Sequence, residues 1–488
     1  MLKRRTLLKS SGAALAAASW AGRPVHAQTG EPTFLIEIDL RDQFDWGHVM
    51  VAPGLAKDVN LKRGERGRAA ALFYGMNELI ETPSGIFLTP ESKDLAPHLD
   101  TIAMVELCEL SMGPVHGHEA GNGIRSPGRS NTQGGGRIAM WEGEPGRINA
   151  EGAYYSSTPT PASLHNHWQK KITPGLRNGV AIKGTDRHGG IYHFGAGLPG
   201  SELDRIQNVE SLLKAFPAQT GDLSSLNILA SKDESDAVMA YLKQSDLRHL
   251  TKRGLSENVR LDHESQLVGA RGLVHTSTPK ALNLALTQAE KDAWSVGCPN
   301  KYGRTTINAW EQAAYAFKLV ESGIVRSVAY EVDIGDVHDE RTKNQMRDQT
   351  GITVAPLLRL IENLKKAGIY DRTLVVVYTT DGGRAPAAGS SGDEGKNGAI
   401  LAGGMIKGGY YGDIRTAGPD RDGQKYAYHM PDVATGAPVP TGTTGNDKRL
   451  PAAALWRTIM KALRVPDDIA GGFPDTMAAK PLVWLLRS

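Results

Sequence analysis

The sequence is short of cysteine and of aromatic residues, and its charges nearly cancel. Two cysteines among 488 residues exclude a disulfide-stapled scaffold and a zinc cluster built from cysteine thiolates. The formal net charge of +3, from 56 basic and 53 acidic side chains, argues against a nucleic-acid-binding protein, which needs a basic excess. Glycine and proline are plentiful instead, at 56 and 26 residues, and they predict many turns and long loops rather than a helical bundle.

The amino terminus has the pattern of an export signal. Residues 3–9 read KRRTLLK, an uncharged alanine-rich run follows, and residues 25–27 (VHA) fit a small-x-small cleavage site. The adjacent Arg4 and Arg5 resemble the twin-arginine signal, which directs a protein to an export pathway. The alternative is an ordinary Sec signal or a membrane anchor. We therefore expect residues 1–27 to be a twin-arginine signal peptide and the protein to be periplasmic or secreted.

Long apolar runs are missing from the rest of the chain. Because a membrane-spanning helix needs about 20 consecutive apolar residues, we expect no transmembrane segment in the mature chain. Export would expose Cys108 and Cys298 to an oxidising compartment, where one disulfide and two free thiols both remain open. The sequence also leaves the oligomeric state open.

The clearest folding unit lies between residues 325 and 404. Residues 325–332 (VRSVAYEV) fit a strand, residues 352–366 have the spacing of an amphipathic helix, and residues 373–378 (TLVVVY) form the apolar run of a buried parallel strand. Residues 34–39 (FLIEID) fit a further buried strand. Since strand, helix and strand make the crossover unit of a parallel sheet, we predict an α/β fold with these three strands adjacent in one sheet.

Acidic residues and a histidine gather where these strands end. Asp39 and Asp45 belong to the end of the first strand, Asp336 and His338 follow the second, and Asp381 follows the third. Because ligands of open parallel sheets bind outside the carboxyl ends of the strands, we expect these side chains to converge on one pocket. A carboxylate and an imidazole two residues apart can share a divalent cation such as zinc or manganese. The alternative is that the acids cap helices and turns.

Four segments carry a family resemblance. Residues 40–53 (LRDQFDWGHVMVAP) resemble an opening Leu-Arg-Gly-Gly-x-Asp-Gly turn, and residues 336–345 (DVHDERTKNQ) resemble an Asp-Thr-His-x-x-Asn signature. Residues 373–386 (TLVVVYTTDGGRAP) resemble a strand with a Ser-Glu-Phe-Gly-Arg-Thr-Pro motif, and residues 399–409 (AILAGGMIKGG) resemble a Leu-Ala-Gly-Gly-x-Ile-x-Gly-Gly segment. In this order they resemble a family of Tat-exported bacterial proteins of unknown function, which is similar to the alkaline phosphatase and sulfatase superfamily.

The resemblance implies an architecture. It is an alkaline-phosphatase-like α/β fold with a central mixed sheet, helices on its flanks and long Gly-rich loops. Residues 28–488 are then expected to form a single domain behind the signal peptide.

The chain departs from the superfamily's pattern at several positions. Asp381 is followed by Gly382 where the superfamily pairs an Asp with a His, and no histidine lies between His338 and His429. The Cys-x-Pro-x-Arg turn of the sulfatase nucleophile is absent from residues 109–126. One expected imidazole ligand is therefore missing, unless Asp393, Glu394 or His429 replaces it, and the usual nucleophile turn is absent.

Three residues remain as candidates for a catalytic role. His116 and His118 lie in the stretch that replaces the nucleophile turn. Arg384 follows the 373–378 strand, and its guanidinium has the geometry to hold a charged ester through two parallel hydrogen bonds.

Two further motifs favour structural interpretations. Residues 165–168 (HNHW) lie at the start of an expected helix, where side chains two residues apart diverge, so we expect a structural or supporting role. Residues 195–200 (GAGLPG) match the Gly-x-Gly-x-x-Gly pattern, but the proline suits a plain turn. We therefore expect no nucleotide cofactor.

Two functions remain in competition. The first is an exported metal-dependent hydrolase of phosphate or sulfate esters, with zinc, manganese, magnesium or calcium as the cation. The second is a catalytically degenerate relative that kept the fold and serves as a binding or scaffold protein of the cell envelope. The missing motifs favour the second, while Asp336, His338 and the strand-end acids favour the first. The expected partner is a small-molecule ester or an envelope component, and not nucleic acid.

Overall fold

The computed structural model describes residues 31–41, 44–61, 63, 72–108, 161–173, 180–183, 190–193, 286–298, 308–323, 325–334, 342–379, 397–417, 426–440, 450–472 and 476–487. The strands in this part of the chain are β1 (Phe34–Arg41), β2 (Met50–Val51), β3 (Ile80–Glu81), β4 (Phe87–Leu88), β5 (Ile102–Cys108), β6 (Val180–Lys183), β7 (Gly190–His193), β8 (Ser327–Asp333), β9 (Thr373–Thr379), β10 (Asn397–Ala402), β11 (Gly409–Tyr411), β12 (Asp413–Thr416), β13 (Tyr426–Pro431) and β14 (Pro438–Pro440). The helices are α1 (Pro53–Ala56), α2 (Pro161–Ile172), α3 (Gln288–Ser295), α4 (Ala309–Glu321), α5 (Lys343–Lys366), α6 (Ala452–Ala462) and α7 (Asp467–Ala470).

The central element is an eight-stranded mixed sheet with the strand order β11-β5-β10-β9-β1-β8-β6-β7. β10 is antiparallel to both of its neighbours, and β7 is antiparallel to β6. The other strands all run in one direction. Two small sheets, β12-β13-β14 and β2-β4-β3, accompany it. The predicted α/β class with a central mixed sheet flanked by helices is confirmed.

The first strand of the chain occupies the middle of the sheet. β1 pairs in parallel with β8 on one side and with β9 on the other, so the three strands predicted to be adjacent are adjacent. β1 continues to Arg41, which pairs with Asp333, and it is therefore two residues longer than expected. Asp39 consequently lies inside the strand rather than after it. β8 and β9 are not direct neighbours, because β1 is inserted between them.

Alternation along β1 sends its side chains into two buried layers. Ile36, Ile38 and Leu40 join a core that includes the apolar residues of α4 and α5. Leu35 joins a second core with residues of α2 and α6 on the opposite side of the sheet. Glu37 and Asp39 share the side of Leu35 by the same alternation. Both faces of the central strands are thus covered, as the uninterrupted apolar run of β9 predicts.

The helix that connects β8 to β9 begins nine residues earlier than the apolar spacing predicts. Thr342 is its N-cap residue: its hydroxyl accepts a hydrogen bond from the Gln345 N–H at 3.2 Å. In return, the Gln345 side chain accepts from the Thr342 N–H at 2.9 Å, which completes a capping box. The prediction was wrong at this end because it followed the apolar spacing alone, which begins at residue 352, the tenth residue of α5.

The AILAGGMIKGG segment owes its glycines to close backbone contacts. A Cβ atom on Gly403 would lie 2.2 Å from the carbonyl oxygen of Thr373, and one on Gly408 would lie 1.8 Å from that of Leu99. The N–H groups of these glycines donate to the carbonyl oxygens of Thr101 and Asp100, at 3.1 and 2.9 Å. This family-like motif is therefore explained by packing at the end of β10.

Two sequence expectations concern membranes and thiols. Among the described residues, no helix is both long and apolar enough to cross a bilayer.

Cys298 is a free thiol, and its Sγ atom lies 3.4 Å from the carbonyl oxygen of Trp294. Burial raises the pKa of this thiol to about 11, so at neutral pH it is protonated and unreactive.

Candidate functional site

The strands that precede the predicted site residues all end at the same edge of the central sheet. β1, β8 and β9 are parallel neighbours, and β5 runs in the same direction beyond the antiparallel β10. Their carboxyl ends therefore meet at one edge, which we call the carboxyl edge. Ligands of such sheets bind at this edge. The topology supports the premise of the site prediction, namely that these strand ends come together.

Most of the predicted site residues lie outside the described residues. This applies to Asp336, His338, Asp381, His116, His118 and Arg384. The structure places two of the predicted residues, Asp39 and Asp45. Within the described ranges, no three side chains of His, Cys, Asp or Glu come together as a metal site. The convergence of the complete set stays a prediction.

Asp39 is a buried acid near the end of the central strand. Its side chain lies on the β1 ladder with 1% of its surface exposed. The register pairs Asp39 with Glu331 on β8 and with Tyr378 on β9. A buried carboxylate costs several kcal/mol unless a cation, a proton or hydrogen-bond donors compensate its charge.

Asp45 lies in the turn that leaves β1, directly before a 3₁₀ turn formed by Trp46–His48. Its Oδ2 atom lies 3.2 Å from Nδ1 of His48, and both side chains are almost fully buried. Its Oδ1 atom lies above Gly47, where an added Cβ would be only 3.3 Å away.

The buried glutamate of β1 is occupied by structural contacts. Glu37 accepts a 2.6 Å hydrogen bond from the Tyr378 hydroxyl through Oε1 and a 3.0 Å hydrogen bond from the Ala162 N–H through Oε2. Ala162 belongs to the first turn of α2, where free N–H groups and the helix dipole favour an anion. Glu37 therefore holds α2 on the sheet. The sequence signal was available, because acids alternate with apolar residues in FLIEID.

A second buried acid near the carboxyl edge was missed by sequence reasoning. Glu106 of β5 is 4% exposed and stands opposite Gly398 of β10 in the register. Burial, together with Glu106, raises the pKa of Tyr410 well above its ordinary value. The phenol is therefore neutral at physiological pH. Because Tyr410 is distant in sequence, no local pattern indicated this pair.

The histidine of α2 has a structural role. His165 is completely buried, and burial, with a smaller effect of Arg326, lowers its pKa to about 3. The Thr33 hydroxyl donates to the Leu463 carbonyl at 3.1 Å, so His165 Nε2 is the donor in its 3.0 Å contact with Thr33 Oγ1. Nδ1 then accepts from the Ser327 hydroxyl at 2.8 Å. His165 is thus a neutral cross-link in the core.

Comparison with known proteins gives a family and two distant structural likenesses. A family model described as "Protein of unknown function (DUF1501)" matches residues 210–459, slightly more than half of the chain. The chain is similar to the solved structure of Ps i-CgsB in complex with k-i-k-neocarrahexaose at 12% identity and a TM-score of 0.33, over 93% of this chain and 76% of the other.

It is also similar to the lipoteichoic acid synthase LtaP from Listeria monocytogenes, at 10% identity and a TM-score of 0.30, over 93% of this chain and 94% of the other. No curated protein matches the sequence.

Proposed function

Since this chain belongs to the DUF1501 family of proteins of unknown function, we propose that it is a metal-dependent hydrolase of phosphate or sulfate esters, with its site at the carboxyl edge. The observation that supports this proposal is the position of Asp39. It is a buried acid on the central strand, and it lies between two parallel strands that end at the same edge.

In this proposal, Asp39 and Asp45 belong to a site for a divalent cation at the carboxyl edge. Carboxylates held close together repel each other, and at neutral pH they need a cation or a shared proton. In this proposal the two carboxylates supply oxygen ligands. We propose that Asp336, His338 and Asp381 complete the set. Oxygen-rich ligands with one imidazole suit manganese, zinc or magnesium.

Each proposed group has a chemical role. A bound divalent cation would polarise an oxygen of the ester and lower the pKa of a coordinated water. Arg384 would hold the charged ester in a fixed orientation through its planar guanidinium. His116 and His118 are the proposed groups for proton transfer at the leaving oxygen, since imidazole titrates near neutral pH.

We also propose that the protein works outside the cytoplasm after export by the twin-arginine pathway, with residues 28–488 folded as one domain. Replacing Arg4 and Arg5 together by lysine should keep the protein in the cytoplasm at full length. Continued export of this double variant would contradict the twin-arginine route.

The catalytic proposal is tested by metal binding and by activity in parallel. Purified protein is titrated with Mn²⁺, Zn²⁺, Mg²⁺ and Ca²⁺ and then assayed on panels of phosphate and sulfate esters. We expect one cation to bind and at least one ester class to be hydrolysed. Asp39→Asn and Asp45→Asn should each weaken cation binding more than tenfold, because each removes a charged ligand, and they should remove activity.

Asp413→Asn is the matched control. Asp413 is equally buried, but its oxygens already accept hydrogen bonds from the Gly54 and Ile414 N–H groups and from Arg415 Nε. This variant should lose stability and keep cation binding. A protein that binds no cation overturns the proposal. A protein that binds a cation and is inert on every ester class is instead a binding or scaffold protein of the envelope.

A further inference from the structure

Two arginines and a phenylalanine meet where the central strands begin, at the edge of the sheet opposite to the carboxyl edge. Phe34 is the first residue of β1, Arg326 directly precedes β8, and Arg372 directly precedes β9. The Leu35 N–H donates to the Arg326 carbonyl oxygen at 2.8 Å, which extends the contact between β1 and β8 to this edge. We call it the amino edge. Because β1 has eight residues, the amino edge lies roughly 23 Å from the carboxyl edge.

Both guanidinium groups lie against the ring of Phe34. The Cζ atom of Arg326 is 4.9 Å from the ring centroid, and that of Arg372 is 6.0 Å from it. Phe34 is buried and belongs to the core on the side of α4 and α5, so the ring has a fixed position. The face of an aromatic ring attracts a cation, but it carries no net charge that could neutralise two of them.

The positive charge of this pair is poorly balanced by the carboxylates that the structure describes. Glu31 Oε2 lies 3.9 Å from Arg372 Nε, and the glutamate side chain is 74% exposed. Asp371 is directed elsewhere, because its Oδ1 lies where a Cβ on Gly404 would be, 2.2 Å from that position. Burial and the nearby charge of Arg372 both lower the pKa of Arg326. The two guanidinium groups therefore repel each other in a partly desolvated place.

One donor of the pair has no partner. The Nε atom of Arg326 is buried and forms no hydrogen bond with the protein. Buried donors are nearly always satisfied by protein, water or a bound ion. In a guanidinium, the Nε–H and a neighbouring Nη–H point in parallel, and together they match two oxygens of a carboxylate, phosphate or sulfate. The unpaired Nε thus indicates a missing acceptor at the amino edge.

We propose that Arg326 and Arg372, on the ring of Phe34, form a binding site for a doubly charged oxyanion, namely a phosphate or sulfate group. Two negative charges would balance the two guanidinium groups, and a tetrahedral anion has enough oxygens to accept from both. The same chemistry is offered by a free ion and by such a group on a larger molecule. This inference is independent of the proposed function, because it uses no residue of the carboxyl edge.

The test is thermal unfolding of the full-length protein in chloride, phosphate and sulfate buffers of equal ionic strength, without added divalent cations. A ligand that binds only the folded state raises the melting temperature. We expect Arg326→Gln and Arg372→Gln each to lose most of the gain in phosphate and sulfate. Their apparent affinity for phosphate should be at least about tenfold weaker, since each variant removes charged hydrogen bonds.

Arg359→Gln is the matched control. Its guanidinium is 29% exposed, against 25% for Arg372, and it is paired with Glu362 at 2.8 Å. The control removes the same charge and should keep the full gain. Phosphate and sulfate also stabilise proteins in general, because they are excluded from protein surfaces. This general effect, and any anion bound at the carboxyl edge, would be common to all four proteins.

Two results overturn the inference. Equal gains in all four proteins would mean that no anion binds at the amino edge, as would be the case if a water molecule satisfies Arg326 Nε. Equal losses of melting temperature in chloride and in phosphate would mean that the arginines only pack on Phe34. If Arg326→Gln does not fold, Arg372→Gln decides by itself.

A further buffer separates the two sources of the anion. Glycerol 3-phosphate carries a phosphate dianion on an organic group. If it stabilises the unmodified protein more than Arg372→Gln, the site is supported and accepts a phosphate on a larger molecule. If only the inorganic ions distinguish the two proteins, the site is supported as one for a free anion.

Discussion

The hydroxyl of Tyr378 on β9 donates a 2.6 Å hydrogen bond to Oε1 of Glu37 on β1. Both residues are buried, and the second oxygen of the glutamate accepts the Ala162 N–H of α2. One carboxylate thus joins two neighbouring strands and the helix that covers them. Although it lies only two positions before Asp39, it belongs to the framework of the site and not to its proposed ligands.

Replacing Tyr378 by phenylalanine should lower the free energy of unfolding by about 1–3 kcal/mol. The ring is retained, but a buried carboxylate oxygen loses its donor. Urea unfolding of both proteins measures the difference. Tyr411→Phe is the control, because its hydroxyl donates to the Lys407 carbonyl at an exposed position and should contribute far less. Equal losses in the two variants would contradict the structural role of Glu37.

The stability of the protein should depend on one buried histidine at mildly acidic pH. The folded-state pKa of His165 is about 3, while the ordinary value is 6.5. The stabilising contribution of neutral His165 to the folded state is therefore fully present above pH 6.5. It is lost as the pH falls toward 3, because in this range only the unfolded chain takes up the proton. Linkage predicts that the free energy of unfolding is about 2 kcal/mol lower at pH 5 than above pH 6.5.

His165→Gln should remove this part of the pH dependence, although it lowers stability at every pH by breaking the contacts with Thr33 and Ser327. Urea unfolding at pH 8, 6.5 and 5 gives the slope of the free energy of unfolding against pH. His429→Gln, at a partly exposed position on β13, is the comparison and should leave most of the slope. If His165→Gln has the same slope as the unmodified protein, the prediction is wrong.

Gly403→Ala should destabilise the protein severely. The new methyl group would lie 2.2 Å from the Thr373 carbonyl oxygen, and both backbones belong to the central sheet or its immediate continuation. We expect the free energy of unfolding to fall by at least about 3 kcal/mol, which is the upper end of the range for substitutions that overpack a core. Gly368→Ala is the control: its φ is +68°, but nothing lies within 4 Å, so only backbone strain of about 1–2 kcal/mol applies.

Thr342→Ala removes the N-cap of α5 and should lower the free energy of unfolding by about 1 kcal/mol. Thr287 forms the same capping box at the start of α3, where the capping contacts are exposed. Thr287→Ala should therefore have a smaller effect on global unfolding, since α3 contributes fewer buried side chains than α5. Thermal unfolding of the two variants side by side provides the comparison. A larger loss for Thr287→Ala would indicate that α3 is part of the cooperative core.

The sequence predicted the sheet better than the helices. A buried parallel strand is a short apolar run with no competing pattern, so β9 was located within one residue, and β1 and β8 within two. The start of α5 was missed because it depends on a cap and not on an apolar stripe. The glycines of residues 403–409 matched a family motif, yet their reason, the closeness of two backbones, becomes visible only in three dimensions.

The site was predictable only in its location. Strand-end reasoning identified the carboxyl edge because the direction of parallel strands fixes where their ends meet. It did not identify the buried contact between His48 Nε2 and the N–H of Phe73, which lies 25 positions later in the chain. It also did not assign Glu37 to the framework, because that assignment depends on a hydroxyl more than 300 positions away. Long-range pairs of this kind leave no local signal.

The central position of β1 has a consequence for the order of events during synthesis. Its ladders join position 35 to position 327 and position 34 to position 373. The first strand to be synthesised therefore cannot pair until strands made nearly 300 residues or more later have left the ribosome. Contacts of such sequence separation make folding slow and leave apolar edges accessible meanwhile. On the proposed export route, a nascent chain would depend on chaperones until β8 and β9 have closed around β1, and only then would it be ready for transport.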